Sequence, residues 1–271
     1  METTIDHDGA TLFVEDLGAG DDVVTLLHPG LWDRRTWDPQ IAPLTEAGYR
    51  VIRYDERGYG RSSLPVPGEP YSRIRDLAAV LDARGVERTA LVGCSMGGSL
   101  AIDATLTFPD RVWALVPVAA GLGGVQPTAE EEASYADLET RYEAAVEAGE
   151  AERAQMILLE EIWAPLGMDD PAGAQIKRIA LENLQEVTMD ESGAERLDPP
   201  AAVRLGEIRV PTLIIEAEHD PPDMRRLTDL LEAGIAGARR ITIDADHVVN
   251  LRAPEAFDAA VLPFLAAHRP A

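Results

Sequence analysis

The chain has 271 residues, 46% of them hydrophobic, which is enough to bury a large core in one domain with an insertion. Its formal net charge is −24 and Lys177 is its only lysine, so we expect no nucleic-acid partner. No apolar run approaches the roughly 20 residues of a membrane helix, and the N-terminus does not resemble a secretion signal. We therefore expect a cytoplasmic protein that does not engage a membrane. The single cysteine, Cys94, fits a reducing compartment.

Short β-branched runs alternate with amphipathic segments at both ends of the chain. One such amphipathic segment, at 72–85, has a clear helical pattern. Several of the β-branched runs are apolar at successive positions, which is typical of strands covered on both faces. The sequence thus predicts an α/β fold with a mostly parallel sheet flanked by helices. The predicted strands are 2–6, 11–16, 23–27, 50–54, 89–93, 112–118, 211–217 and 239–244.

The middle of the chain, 123–206, has no convincing strand. Three helical stretches rich in glutamate and alanine, at 128–149, 150–167 and 171–187, are punctuated by prolines. We interpret this region as a helical insertion into a sheet domain that is formed by 1–122 and 207–271.

The stretch VGCSMGG at 92–98 contains a Gly-x-Ser-x-Gly pattern, which alone is weak evidence because any glycine-rich turn can contain a serine. Here a predicted strand precedes the pattern and a helical run follows it, so Ser95 is expected on a sharp turn with its hydroxyl exposed. Bulky neighbours would collide in such a turn, which explains Gly93 and Gly97. A phosphate-binding glycine turn is disfavoured because GxGxxG and the P-loop lysine are absent. Cys94 is better explained by packing, since the turn aims position 95.

A serine nucleophile needs a base, and five histidines are available. His7 and His268 lie at the chain ends, His28 precedes a proline, and His219 follows the seventh strand. His247 follows the eighth strand. We favour His247 because ligands gather beyond the carboxyl ends of parallel strands.

The base needs a carboxylate that orients it. Asp220 follows the seventh strand and competes with Glu216, which lies within that strand, and with Glu218, which comes one step early in the turn. We favour Asp220 and keep the other two as alternatives.

Ser95, Asp220 and His247 occur in this chain order, together with LLHPG at 26–30 and YDERGYGRSS at 54–63. On these residues, essentially the whole chain resembles the α/β-hydrolase family, and in particular its small capped esterases and lactonases, which include enol-lactonase-like members. The resemblance implies an eight-stranded sheet with a helical cap inserted after the sixth strand. It implies a small-molecule ester or lactone substrate and no metal or cofactor, and it allows a homodimer.

The resemblance also assigns roles at matching positions. Ser95 would attack the substrate carbonyl, His247 would take and return the proton, and Asp220 would fix the imidazole tautomer. His28 matches a histidine that shapes the neighbouring loop.

The oxyanion hole would use the backbone N–H of Met96 and a second N–H from the HPGL loop. That second donor is Gly30 or Leu31, because Pro29 has no N–H to donate.

The substrate is less clearly indicated. Arg34 and Arg35 are candidates for binding a substrate carboxylate, and Asp244 and Asp246 place further negative charge near His247 in the sequence. The same catalytic residues also serve C–C bond hydrolysis, perhydrolysis and iminopeptidase-like amide cleavage, and a non-catalytic binding protein could retain them. Several aromatic residues could line an apolar pocket, although core packing explains each equally well: Trp32, Trp163, Tyr135 and Tyr142.

Overall fold

In the computed structural model, which describes residues 1–270, a single eight-stranded sheet runs through the molecule. The strand order is β1-β2-β4-β3-β5-β6-β7-β8, in which β1–β2 and β2–β4 are antiparallel and the other neighbours are parallel. The predicted eight-stranded, mostly parallel sheet is therefore confirmed. The strands are β1 (Glu2–His7), β2 (Ala10–Leu17), β3 (Val23–Leu27), β4 (Arg50–Tyr54), β5 (Thr89–Cys94), β6 (Val112–Val118), β7 (Leu213–Ala217) and β8 (Arg239–Ile243).

Helices cover both faces of this sheet. Within residues 1–270, no helix combines the length and the apolar character that a membrane span requires. The helices are α1 (Asp38–Glu46), α2 (Arg73–Ala83), α3 (Met96–Thr107), α4 (Ala129–Glu147), α5 (Ala151–Leu158), α6 (Pro171–Leu181), α7 (Pro222–Gly234), α8 (Val249–Arg252) and α9 (Pro254–Ala267).

The central strands are buried on both faces, as their continuous apolar runs predict. Along β5, Leu91 packs into a cluster that includes Leu77 of α2, whereas Ala90 and Val92 pack into a second cluster that includes Phe257 of α9. Because successive side chains of a strand point to opposite faces, a strand between two helical layers must be apolar at every position.

The chain between β6 and β7 forms α4, α5, α6 and several short helical turns. Thr128 and Glu131 form a capping box at the start of α4, and Asp170 caps the first turn of α6 by accepting from the Gly173 N–H. After α5 the backbone widens into a π-helical turn at Leu159–Trp163, a rare geometry that is often found at functional sites.

A buried ion pair fastens α2 to the loop that follows β4. The Arg57 guanidinium donates to both carboxylate oxygens of Asp76, at 3.0 and 2.7 Å, and both side chains are almost fully buried. On the same helix, Asp82 pairs with Arg111 at 2.6 Å but is 68% exposed.

We predict that Asp76→Asn lowers the free energy of unfolding by about 3 kcal/mol, because it leaves the Arg57 charge buried without its counter-charge. The matched variant Asp82→Asn should cost less than about 1 kcal/mol, because water screens the exposed pair. Urea unfolding followed by circular dichroism measures both values. Equal losses of unfolding free energy in the two variants would show that the buried pair stabilises the fold no more than the exposed one.

Candidate active site

Ser95 occupies a strained turn between β5 and α3. Its backbone has φ +51° and ψ −112°, a conformation that costs a non-glycine residue roughly 1–3 kcal/mol. The need for the neighbouring glycines is confirmed. A Cβ on Gly93 would lie 2.1 Å from the Gly97 carbonyl oxygen, and a Cβ on Gly97 would lie 2.4 Å from the Leu27 carbonyl oxygen. The turn therefore packs directly on the end of β3.

Two further strained residues lie beside Ser95. Leu31 has φ +68° in the loop after β3, and Ala119 has φ +42° immediately after β6. Strands β3, β5 and β6 are neighbours in the sheet, so these positive φ values collect at one part of its carboxyl edge. Such strain persists only where the surrounding structure enforces it, and it is typical of functional sites.

The next strands along the sheet place an imidazole and a carboxylate at the same edge. His247 Nδ1 lies 2.8 Å from Asp220 Oδ1, and both side chains are buried. Of the three acids that the sequence left open, the structure thus brings Asp220 to His247. Glu216 is bound by Arg240 and Thr242 instead, and Glu218 is exposed.

The turn at Ser95 and the loop of His247 are in contact. The thiol of Cys94, the residue before Ser95, lies 3.5 Å from the His247 carbonyl oxygen. The Trp163 ring, at the end of the π-helical turn, covers the imidazole of His247 with a centroid separation of 4.2 Å. No hydrogen bond joins the Ser95 hydroxyl to His247 among residues 1–270.

The loop after β3 lies next to the start of α3. A Cβ on Gly30 would lie 4.0 Å from the Met96 sulfur, and the N–H of Met96, the first residue of α3, has no acceptor within its own helix. The N–H groups of Gly30 and Leu31 have no acceptor in the described chain. His28 holds this loop, because its Nε2 accepts from a backbone N–H at 2.9 Å and its Nδ1 lies 2.8 Å from the Pro29 carbonyl oxygen.

The four aromatic residues proposed for the pocket lie in different surroundings. Trp163 lies against His247. Trp32 is buried in the cluster between α6 and α8, where its indole N–H donates to the Ile176 carbonyl. The Tyr135 hydroxyl donates to Asp223 of α7, and Tyr142 packs among residues of α4 and α5. The structure therefore brings Trp163 to the imidazole and gives Trp32, Tyr135 and Tyr142 packing or bridging contacts.

Arg34 and Arg35, the candidates for binding a substrate carboxylate, are both held by carboxylates of the protein. Arg34 contacts Glu15 and Asp55, and Arg35 contacts Asp33 and Glu182.

The pKa of the Asp33 carboxyl is itself lowered by its partners. Burial raises the pKa of its carboxyl, but hydrogen bonds from Arg35 and Asn183 outweigh this effect and lower it to about 2. The carboxylate therefore stays ionised and keeps Arg35 in place.

The carboxylates next to His247 in the sequence also have other partners. Asp244 Oδ1 lies 2.8 Å from His219 Nε2 at the surface. Asp246 is buried and receives three hydrogen bonds from Arg252, which also binds Asp170 and the Gly167 carbonyl of the helical segment. Sequence reasoning missed this clamp, because nothing in the spacing of these residues indicates that they meet.

His219 and Asp244 come together with Glu218, with possible ligand atoms within 4.8 Å of one another. All three side chains are exposed, and they lie outside the buried His247–Asp220 pair.

Comparisons with known proteins find similar sequences and similar folds. Residues 25–260 match the model of the Alpha/beta hydrolase family. A 2-hydroxy-6-oxononadienedioate/2-hydroxy-6-oxononatrienedioate hydrolase from Klebsiella pneumoniae is 30% identical over 97% of this chain and 94% of its own. The structure of Est816, described as an N-acyl homoserine lactone degrading enzyme, is 25% identical with a TM-score of 0.75, over 97% of this chain and all of its own. The enol-lactonase of Burkholderia xenovorans shares the fold at 23% identity and a TM-score of 0.75, with the same coverage.

The surroundings of Cys94 predict an inert thiol. Complete burial, and to a smaller extent the charge of Asp220, raise the pKa of the Cys94 thiol well above its ordinary value, so the thiol stays protonated at pH 8. We expect its reaction with 5,5′-dithiobis(2-nitrobenzoate) to be at least about 100-fold slower in the native protein than in urea. The unfolded protein, which should release one equivalent, is the control. Fast labelling of the native protein would contradict this assignment and reopen Cys94 as a nucleophile.

Proposed function

The chain belongs to the alpha/beta hydrolase family, and from this premise we propose that it is a serine hydrolase that cleaves a carboxylic ester or a lactone. The observation that carries the proposal is the strained turn that holds Ser95 between β5 and α3. Turns of this kind expose a serine at a helix N-terminus, where backbone dipoles favour developing negative charge.

In the proposed mechanism, the Ser95 hydroxyl attacks the substrate carbonyl while His247 Nε2 takes its proton. Asp220, which accepts from Nδ1 at 2.8 Å, fixes the tautomer and stabilises the imidazolium that forms. The tetrahedral intermediate then collapses and expels the alcohol, which receives the proton from His247. A water molecule releases the acyl group from Ser95 by the same steps in reverse order.

The developing oxyanion would be stabilised by the N–H of Met96 and by that of Gly30 or Leu31. Each such donor contributes roughly 3 kcal/mol to the transition state. The unpaired N–H groups of the loop after β3 support this role. Trp163 would shield the imidazole from water.

A second candidate reaction is the one for which the Klebsiella relative is named, hydrolysis of a 2-hydroxy-6-oxo-dioate. The 30% identity over almost the whole chain favours it. Arg34 and Arg35, which the sequence suggested as carboxylate ligands, are both held by protein carboxylates, and this favours the ester or lactone.

We predict that a fluorophosphonate adds once to the wild-type protein and not to Ser95→Ala, because only an activated serine reacts. Intact mass spectrometry measures the adduct. Turnover of p-nitrophenyl butyrate should fall by about 10⁴-fold or more in Ser95→Ala. Ser99→Ala, one turn later on α3, is the matched control and should still be labelled.

Two results would contradict this proposal. An adduct that persists in Ser95→Ala would place the nucleophile elsewhere. A folded wild-type protein that forms no adduct and turns over no ester would favour a non-catalytic binding protein.

A further inference from the structure

Gln155 of α5 is completely buried, yet neither its Oε1 nor its Nε2 has a hydrogen-bond partner among residues 1–270. A buried primary amide without partners destabilises a protein relative to an apolar side chain of the same size. An unpaired amide at this position is therefore better explained by binding than by packing.

A second unpaired polar group lies on the helical turn Leu184–Thr188. Glu186 Oε2 is buried without a hydrogen-bond partner in the described residues. Burial, together with the charge of Glu191, raises the pKa of the Glu186 carboxyl to about 7. Among residues 1–270 Glu186 has no ion-pair partner, whereas Asp33, Asp55 and Asp246 are each held by an arginine.

The turn that carries Glu186 is fixed onto the loop after β4 at both of its ends. At one end Asn183 Oδ1 accepts from the Gly60 N–H at 2.7 Å. At the other end Met189 packs so closely on Gly58 that a Cβ there would overlap its sulfur. The turn of Glu186 is thereby held against the segment 58–60, whose middle residue is Tyr59.

Tyr59 links this turn to the proposed oxyanion hole. Its ring meets His28 edge-on at 5.1 Å, and its hydroxyl would lie 3.8 Å from a Cβ on Gly30. Burial, and after it the charge of Glu186, raise the pKa of the Tyr59 hydroxyl well above its ordinary value. Tyr59 therefore lies between the turn that carries Glu186 and the loop after β3.

The two chain neighbours of Gln155 pack in two different hydrophobic clusters, one with the turn of Glu186 and one with the loop after β3. Its neighbour Ala154 packs in one cluster with Val187, the residue after Glu186. Its other neighbour, Met156, packs in a cluster with Leu31. Position 155 of α5 therefore lies between residues that pack towards the turn of Glu186 and towards the loop that would hold the oxyanion.

We propose that Gln155 and Glu186 form a polar subsite for an amide group in the acyl part of the substrate. The substrate N–H donates to the Glu186 carboxylate, and the substrate carbonyl accepts from Gln155 Nε2. An ammonium group would leave Gln155 Nε2 without an acceptor, and the ionised form of Glu186 would repel a carboxylate. This inference rests on the proposed function of Ser95, because it places the subsite within the acyl pocket of that residue.

The test uses three esters that differ by one group at a time. p-Nitrophenyl N-acetylglycinate carries an N–H where p-nitrophenyl 4-oxopentanoate carries a CH₂, and the latter carries a carbonyl where p-nitrophenyl pentanoate carries a CH₂. The ratio of kcat/KM for each pair is compared between variants, so the intrinsic reactivity of each ester cancels. Glu143→Gln, an exposed position on α4, is the matched control.

Glu186→Met should lower the preference for N-acetylglycinate over 4-oxopentanoate by about tenfold or more, because only the carboxylate accepts a hydrogen bond from the substrate N–H. Gln155→Leu should lower the preference for 4-oxopentanoate over pentanoate by a similar factor, because only the Gln155 side chain donates a hydrogen bond to the substrate carbonyl. If both variants keep the ratios of Glu143→Gln, the subsite is overturned.

A binding measurement keeps the test independent of catalysis and of the folding of these variants. Calorimetry with Ser95→Ala, in which Gln155 and Glu186 are intact, should show methyl N-acetylglycinate binding about tenfold more tightly than methyl 4-oxopentanoate. Equal affinities, or no binding of either ester, overturn the subsite. A binding preference without fluorophosphonate labelling of the wild type would retain the subsite and reject the hydrolase mechanism.

Discussion

The arrangement of this site depends on one backbone constraint, the sharp turn from β5 into α3 at Ser95. The turn holds a non-glycine residue at φ +51° and presses Gly97 onto the carbonyl groups of Leu27 and His28. This close approach places the start of α3 beside the loop after β3, so the serine and the two proposed oxyanion donors belong to one rigid unit. The parallel sheet extends the same edge to β7 and β8, whose loops carry Asp220 and His247.

Several of the many acidic side chains form ion pairs with arginines. Arginines near the site bridge two acids each: Arg34 joins Glu15 to Asp55, and Arg252 joins Asp246 to Asp170. The Arg252 bridge fixes the loop of His247, and both bridges leave these cations less available to an anionic substrate. The helical segment instead contributes a buried carboxyl group without a hydrogen-bond partner, Glu186 Oε2. This distribution of charge supports the proposed neutral substrate over a dicarboxylate.

Strand periodicity and short-range turn chemistry were sufficient to predict the sheet, with strand ends correct to within two residues, and the surroundings of Ser95. Both are local properties, because a buried strand must be apolar and a sharp turn must contain glycine. The partners of Arg35 and Arg252 could not be predicted, because they lie up to 147 residues away in the chain and depend on how the helical segment packs. The same limit applied to Gln155 and Glu186, which look like ordinary polar residues of an amphipathic helix until their burial is known.

In the proposed mechanism His247, oriented by Asp220, activates Ser95. The most direct measurement is kcat for p-nitrophenyl butyrate in Asp220→Asn beside Glu218→Gln, two acids from the same loop. We predict that Asp220→Asn lowers kcat by about 10³- to 10⁴-fold with little change in KM, because the amide stabilises the wrong imidazole tautomer, and that Glu218→Gln stays within about twofold of wild type. An Asp220→Asn variant with nearly wild-type kcat, or a Glu218→Gln variant with an equal loss, would contradict the account.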